Sequence, residues 1–477
     1  MPIQDPTAKA IKSLNQLSSS HESSAEFYLS TCNLVESKLY HQLTVQVLSF
    51  TSSLENFHEL LILDNDASMI MDSNEGVNSG SGTDTAATLS IPSNFLSLYQ
   101  ILFSFSSKVD SLMLARIAWN VTYATLLYCR YHDRICTELS CLLSHLAQSV
   151  EQQQKQSPST PHDAHAQLYT EAKLHLVPLL LHSTESTPSS STSSSDTVSV
   201  ESIQQFLSRY APLLPQLASS TAHASATSSS VAMALAAYHE TAMELYKSIG
   251  IDTCSESFYH AAIEYLHYTP PQELKDNRRK MLDLARDLIL AALVAPQVYN
   301  LGQVVYENEY LLQVLDDGTE TEQGYLKGIM VAAAQGNVKG AMDILNVHLK
   351  DLEELYKNKS GGNIVGLANI IQEKIILLGL VHMVFERESH ERQMAFVDIA
   401  QRLNVGLEQV EWICMKAISK GLMKGSMDQV DGVVDVTWVM PRVLDEAMLK
   451  NLAMRLGEWK DKVGEMRNYM KDHVAAF

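Results

Sequence analysis

The sequence predicts a mostly α-helical protein: a helical-repeat solenoid, then a winged-helix domain, then one long C-terminal helix. Three observations carry this prediction. Apolar residues recur at helical spacing through one segment after another. A helix over 403–422 is followed by two β-prone stretches, 422–430 and 432–440, around the turn signal Asp431-Gly432. Finally, Leu449, Leu452, Leu456, Trp459, Val463, Met466 and Met470 follow one another at alternating intervals of three and four.

Helical periodicity begins in 8–58, where Leu29, Leu34, Val35 and Leu39 precede the apolar run 44–50. It lapses over 64–90, which is rich in Asp, Asn, Ser and Gly, and resumes over 94–152. Softer stretches lie at 154–164 and 185–199, the latter too rich in Ser and Thr to bury a face. Helices are expected at 201–217, 229–248, 256–268, 272–293, 324–335 and 338–356. Pro270-Pro271 separates two of them, because proline lacks the amide and crowds the preceding turn. Gly336 and Gly340 mark another break. No strict repeat period is visible, so the solenoid, expected over 1–358, rests on helix density.

A strong helix at 367–385 opens a different region, 363–442. In 407–421 the apolar Val410, Ile413, Cys414, Ala417 and Ile418 define one buried face, and Gly421 is a fitting terminator. The run Val433, Val434, Val436 and Trp438 is expected to offer strand edge to a neighbouring molecule. Residues 443–477 form the last helix, and its apolar seam needs another surface, for which partner helices are the better reading.

The chain carries 35 Lys and Arg against 55 Asp and Glu, a formal charge of −20. General nucleic-acid binding is disfavoured without a basic footprint. The second winged-helix helix repeats the message: Glu408 and Glu411 at its start offset Lys416 and Lys420 at its end, placing carboxylates where phosphates would dock. Six cysteines scattered through helical stretches suit a reducing compartment. The N-terminus lacks an apolar block of signal-peptide length, and no apolar run reaches the roughly 20 residues of a spanning helix. A soluble intracellular protein without membrane contact is expected.

No zinc-protease, phosphate-loop, dinucleotide or nucleophile-elbow motif occurs. His162 and His165 sit in a soft segment and read as surface histidines. Cys129, His132, Cys136 and Cys141 lack the close chelate pairs of a zinc site. Neither a metal nor a cofactor is expected.

This succession of parts resembles the PCI architecture of proteasome-lid, signalosome and initiation-factor subunits. The residues narrow the resemblance. Ser37-Lys38-Leu39-Tyr40-His41-Gln42-Leu43-Thr44-Val45-Gln46-Val47-Leu48, then Tyr238-His239-Glu240-Thr241-Ala242 and Phe258-Tyr259-His260-Ala261-Ala262, are similar to the regulatory subunit 13 type of the 26S proteasome lid. The most specific stretch joins Gly421-Leu422-Met423-Lys424-Gly425-Ser426-Met427-Asp428-Gln429-Val430-Asp431 to Thr437-Trp438-Val439-Met440-Pro441-Arg442-Val443-Leu444-Asp445. The insertions at 64–90 and 183–199 depart from that family's shorter form.

The resemblance implies a TPR-like solenoid and a non-catalytic scaffold role in ubiquitin-dependent degradation, in cytoplasm and nucleus. It implies other PCI subunits as partners, together with the lid's deubiquitinase pair and the ubiquitin receptor that bridges lid and base. A signalosome or initiation-complex scaffold is the alternative.

Overall fold

In a computed structural model the described residues are 6–20, 25–52, 98–105, 108–131, 144, 161–182, 195–219, 227–275, 278–316, 324–360, 366–387, 392–443 and 446–474. The chain divides into two units, 1–245 and 246–477. The insertion expected at 64–90 lies outside the described residues, as do 185–194 of the second.

In the first unit, α1 (Pro6–Ser20), α2 (Ala25–Glu36), α3 (Tyr40–Ser52), α4 (Ser111–Tyr131) and α5 (Pro161–His182) pack in sequence, each on the next. Such neighbour-to-neighbour packing is the pattern of helical repeats. Leu14, Val35, Leu43, Val47, Leu102, Phe105 and Ile117 fill the core between them. Of the four residues expected on the apolar face, Val35 is buried and Leu34 half-buried, whereas Leu29 and Leu39 are exposed.

α2 closes with Lys38 in the left-handed region (φ 59°), its amide donating to Val35 O and the Leu39 amide to Leu34 O. α5 begins at Pro161, inside the stretch expected to be soft; proline suits a first helical turn because the amide it lacks would be unbonded there. His165 is therefore a buried helical residue, not a surface one. α6 (Ser195–Tyr210) likewise starts inside the Ser/Thr-rich stretch. α7 (Leu214–Ser219) and α8 (Thr227–Ile249) follow, and the unit boundary falls within α8.

Polar groups in this unit are buried in matched sets. Glu171 accepts from Arg209 and, at 2.9 Å, from the Tyr210 hydroxyl. Lys173 pairs with Glu240 and lies 4.5 Å from the Trp119 ring centroid. Thr241 Oγ1 donates to Ala172 O at 2.9 Å. Burial of such ions is tolerable because each has a partner.

The second unit contains α9 (Ile251–Tyr268), α10 (Pro271–Lys275), α11 (Arg278–Val294), a π-helical turn at Gln303–Glu307, α12 (Glu309–Asp316), α13 (Gly324–Ala334), α14 (Val338–Ser360) and α15 (Leu367–Glu386). The turn and α12 occupy a stretch for which periodicity gave no helix, while α10 and α11 together cover the helix expected at 272–293 except for 276–277, which lie outside the described residues. α13 ends as expected at Gly336, whose φ of 71° lets its amide reach Ala333 O and the next amide reach Ala332 O. A Cβ there would lie 2.5 Å from the His382 ring. Among the described residues, α15 is the one helix long and apolar enough to cross a membrane, yet 67% of its apolar window is buried inside the fold. It is a core helix.

The winged helix follows as β1 (Gln393–Ala395), α16 (Phe396–Leu403), α17 (Leu407–Ser419), β2 (Met423–Asp428) and β3 (Val433–Val439), with α18 (Glu446–Val474) last. Gly421 terminates α17 with φ 70°, its amide bonded to Ile418 O and that of Leu422 to Ala417 O. The sheet order is β1-β3-β2, all antiparallel.

Candidate assembly surface

β3 is the central strand. Val433, Val434 and Asp435 pair with Ala395, Met394 and Gln393 on one side, while every residue of the strand except Thr437 pairs with β2 on the other. The Val436 amide also donates to Arg392 O at 3.2 Å. This corrects the expectation of a free edge over 433–436. β1 was missed because three residues carry no readable alternation, and it covers the half of β3 that would otherwise be open. The outer edge of β2 is the long one left unpaired within the sheet.

The side chains sort the same way. Val434 and Val436 are buried at 0% and 2% exposure, so neither presents its side chain to a partner, and Val433 is half-buried. Trp438 is exposed. The reason is a register shift between Lys424 and Gly425, which pair with Trp438 and Val436 and leave Thr437 as the extra residue. Alternation reverses beyond the bulge: Val439 turns inward and Trp438 outward, where Lys424 Nζ lies 5.2 Å from its ring centroid. Gly425 is required at this point, since a Cβ would come within 2.2 Å of Asp435 O.

α17 does not present a basic face. Lys416 bonds Glu373 of α15 at 2.6 Å and lies over the Trp412 ring, and Lys420 donates to Pro296 O at 3.3 Å. Glu411 accepts from Gln429 at 3.0 Å. Both lysines at the end of the helix are therefore engaged by the chain itself. Among the residues α17 exposes are three large apolar ones, Leu407, Trp412 and Met415, beside Glu408 and Gln409.

α18 carries the largest apolar exposure. Leu449, Leu452, Leu456, Trp459, Val463, Met466 and Met470 are each between 44% and 66% exposed, a continuous uncovered stripe on a 29-residue helix. The seam expected from spacing is thus a single face, and the described residues of the chain do not cover it.

The segment that launches α18 is fixed to the second unit. The Val443 amide donates to Asn300 Oδ1 at 3.2 Å, and Gly302 admits Val443, whose Cβ would stand 2.9 Å from a Cβ at 302. Arg442 donates to Ala334 O, the last residue of α13, and to His382 Nδ1 at 2.8 Å. His382 Nε2 in turn faces Glu386 Oε1 at 3.0 Å, and Arg402 holds the other Glu386 oxygen at 3.3 Å. These partners set the tautomer: Nε2 carries the proton and Nδ1 accepts. Burial, with the Arg442 guanidinium beside it, holds the His382 pKa below the ordinary histidine value.

Lys374 makes the other internal junction. From α15 its Nζ donates to Ala292 O and Ala295 O, both at 2.6 Å, closing the C-terminal end of α11. Burial, with Lys420 nearby, lowers its pKa to about 7. A neutral amine still supplies one hydrogen to each carbonyl. Sequence reading missed Lys374 because it appears as an isolated lysine on an apolar helix. It also missed the role of Arg442, whose partners lie 60 and 108 residues away.

Among the described residues no group of three His, Cys, Asp or Glu could hold a metal. His132, Cys136 and Cys141, and the side chains of Cys129 and His162, lie outside the described set. The Cys414 thiol is buried and pushed up to about 11, far from thiolate chemistry at neutral pH.

Comparison with known proteins agrees with this anatomy. The profile of PSD13 N-terminal repeats matches residues 84–330, and that of the PCI domain matches 345–438. The 26S proteasome non-ATPase regulatory subunit 13 homolog A of Arabidopsis thaliana is 34% identical over 209 residues, 43% of this chain and 50% of that protein. The subunit 13 protein of Dictyostelium discoideum is 26% identical over 218 residues, 46% of this chain and 53% of that protein. The 26S proteasome regulatory subunit RPN9 of Saccharomyces cerevisiae is 27% identical over 215 residues, 45% and 51% of the two chains. The chain thus spans about half the length of the curated relatives it matches. With the repeat profile covering half of its residues and the PCI profile following in order, the chain belongs to the PSD13 family of PCI-domain proteins.

Proposed function

We propose that the chain is a non-catalytic scaffold subunit of the 26S proteasome regulatory-particle lid, with 1–358 as a helical-repeat arm, 363–442 as the PCI winged helix and 443–477 as a bundle helix. The observation that carries this reading is the uncovered apolar seam of α18, Leu449 to Met470, in a chain of the PSD13 family. A helix with that much exposed apolar surface gains by burying it against other helices. The winged helix supports the same reading, because its α17 lysines are engaged internally and its β2 edge is open to a neighbouring strand. Neighbouring PCI subunits are the proposed occupants of both surfaces. The arm would then help position the deubiquitinase pair and the lid-to-base ubiquitin receptor, in cytoplasm and nucleus.

Affinity purification of the tagged chain under native conditions, with mass spectrometry of what accompanies it, tests the proposal. Lid subunits in stoichiometric amounts are expected. Recovery with signalosome or initiation-complex subunits instead would overturn it.

A further inference from the structure

Beyond its first turn the residues flanking the α18 seam are of one charge. With Leu449, Leu456, Val463 and Met470 at a and Leu452, Trp459 and Met466 at d, the e positions are Glu446, Ala453, Lys460 and Arg467, and the g positions are Met448, Arg455, Lys462 and Tyr469. Each charged residue beside the seam is basic except Glu446, which pairs with Lys450 of its own helix at 2.6 Å. Glu458, Asp461, Glu465 and Asp472 fall on the opposite side of the helix, at c and f. Arg455, Lys460, Lys462 and Arg467 are all exposed.

Residues at e and g lie against the partner's flanks in a helical bundle and decide which partners are accepted. We propose that the α18 seam selects helices whose own flanks are acidic, and that it rejects a second copy of itself. This rests on the assembly role proposed above and names the chemistry of the partner. In a parallel pair of copies Arg455 would face Lys460 and Lys462 would face Arg467. In an antiparallel pair e meets e and g meets g, again like on like. Both arrangements oppose the apolar attraction. A partner with Glu or Asp at those positions turns each repulsion into an ion pair beside the desolvated seam. An anionic membrane is the lesser fit, because the polar face sets Glu458, Asp461, Glu465 and Asp472 beside Lys450 and Lys471, where an interfacial helix would be rich in lysine and arginine.

The test uses the full chain and two synthetic helical peptides with leucine at every a and d, one carrying Glu and the other Lys at e and g. Fluorescence anisotropy should show the Glu peptide binding about tenfold more tightly. That preference should shrink between about 50 mM and about 500 mM salt. The full chain carrying R455E, K460E, K462E and R467E should prefer the Lys peptide, with its thermal melt unchanged because all four positions are exposed. By sedimentation the wild-type chain should not self-associate through α18. Equal affinity for the two peptides, self-association lost on replacing Trp459, or binding to phosphatidylserine vesicles in place of the Glu peptide would each overturn the inference. The lid proposal fails separately: a chain that prefers the Glu peptide yet recovers no lid subunits keeps the charge rule and loses the lid.

Discussion

Arg442 donates to His382 across 2.8 Å, a contact that exists only while the imidazole is neutral. Because Arg442 also bonds the end of α13 and immediately precedes Val443, this pair anchors the segment that comes before α18.

Acid should loosen that attachment. The folded-state pKa of His382 is depressed, so as pH falls through the ordinary histidine value the unfolded chain takes up the proton first. The stability contributed by the pair is present above that value and is lost as pH falls below it. His382→Asn, which keeps an acceptor for Arg442 but does not titrate, should reduce the loss. Thermal melts of both proteins at neutral and mildly acidic pH decide this, and equal acid sensitivity would refute it.

Lys374→Met should destabilise the second unit by about 2–4 kcal/mol, because Ala292 O and Ala295 O lose their donor in a buried site. The pH dependence has a definite sign. A folded pKa of about 7 lies below the unfolded value, so this group's contribution rises with pH from about 7 towards about 10. Denaturant titrations across that range should show a slope in the wild type that is diminished in the variant.

Gly425→Ala should cost about 1–3 kcal/mol, since the new Cβ meets Asp435 O at 2.2 Å and the backbone must shift. Faster amide exchange in β2 and β3 with α9–α15 unaffected would localise the damage; unchanged exchange would show that the bulge accommodates a methyl group.

If the winged helix pairs with a neighbour, assembly should slow exchange of the outward amides of Met423–Asp428 more than those of Val433–Val436, which already have partners on both sides. Equal protection before and after assembly would remove β2 as the contact.

Leu456→Ala with Trp459→Ala should abolish or strongly reduce incorporation into reconstituted lid while leaving the melt of the isolated chain unchanged, because both side chains are exposed in it. Each buried large side chain removed is worth roughly 3–5 kcal/mol in an interface that does not collapse around the cavity. Normal incorporation would refute the bundle role, and a lowered melt would place the seam within the chain.

The sequence by itself determined the features that depend on near neighbours. The α18 seam follows from seven residues three and four apart, the end of α17 from a glycine that tolerates positive φ, and the hairpin from Asp431-Gly432 between β-prone runs. These are local periods and local backbone preferences. Tertiary structure alone decided what rests on residues distant in the chain. Three residues at 393–395 made β3 an inner strand, and one bulge turned Trp438 out while Val434 and Val436 stayed in. Lys374 and Arg442 found carbonyls at the ends of helices tens of residues away. Side-chain alternation does not say which strand edge will be covered, and a lone cation on an apolar helix does not say which carbonyl it will meet, because both are fixed only when separate segments pack.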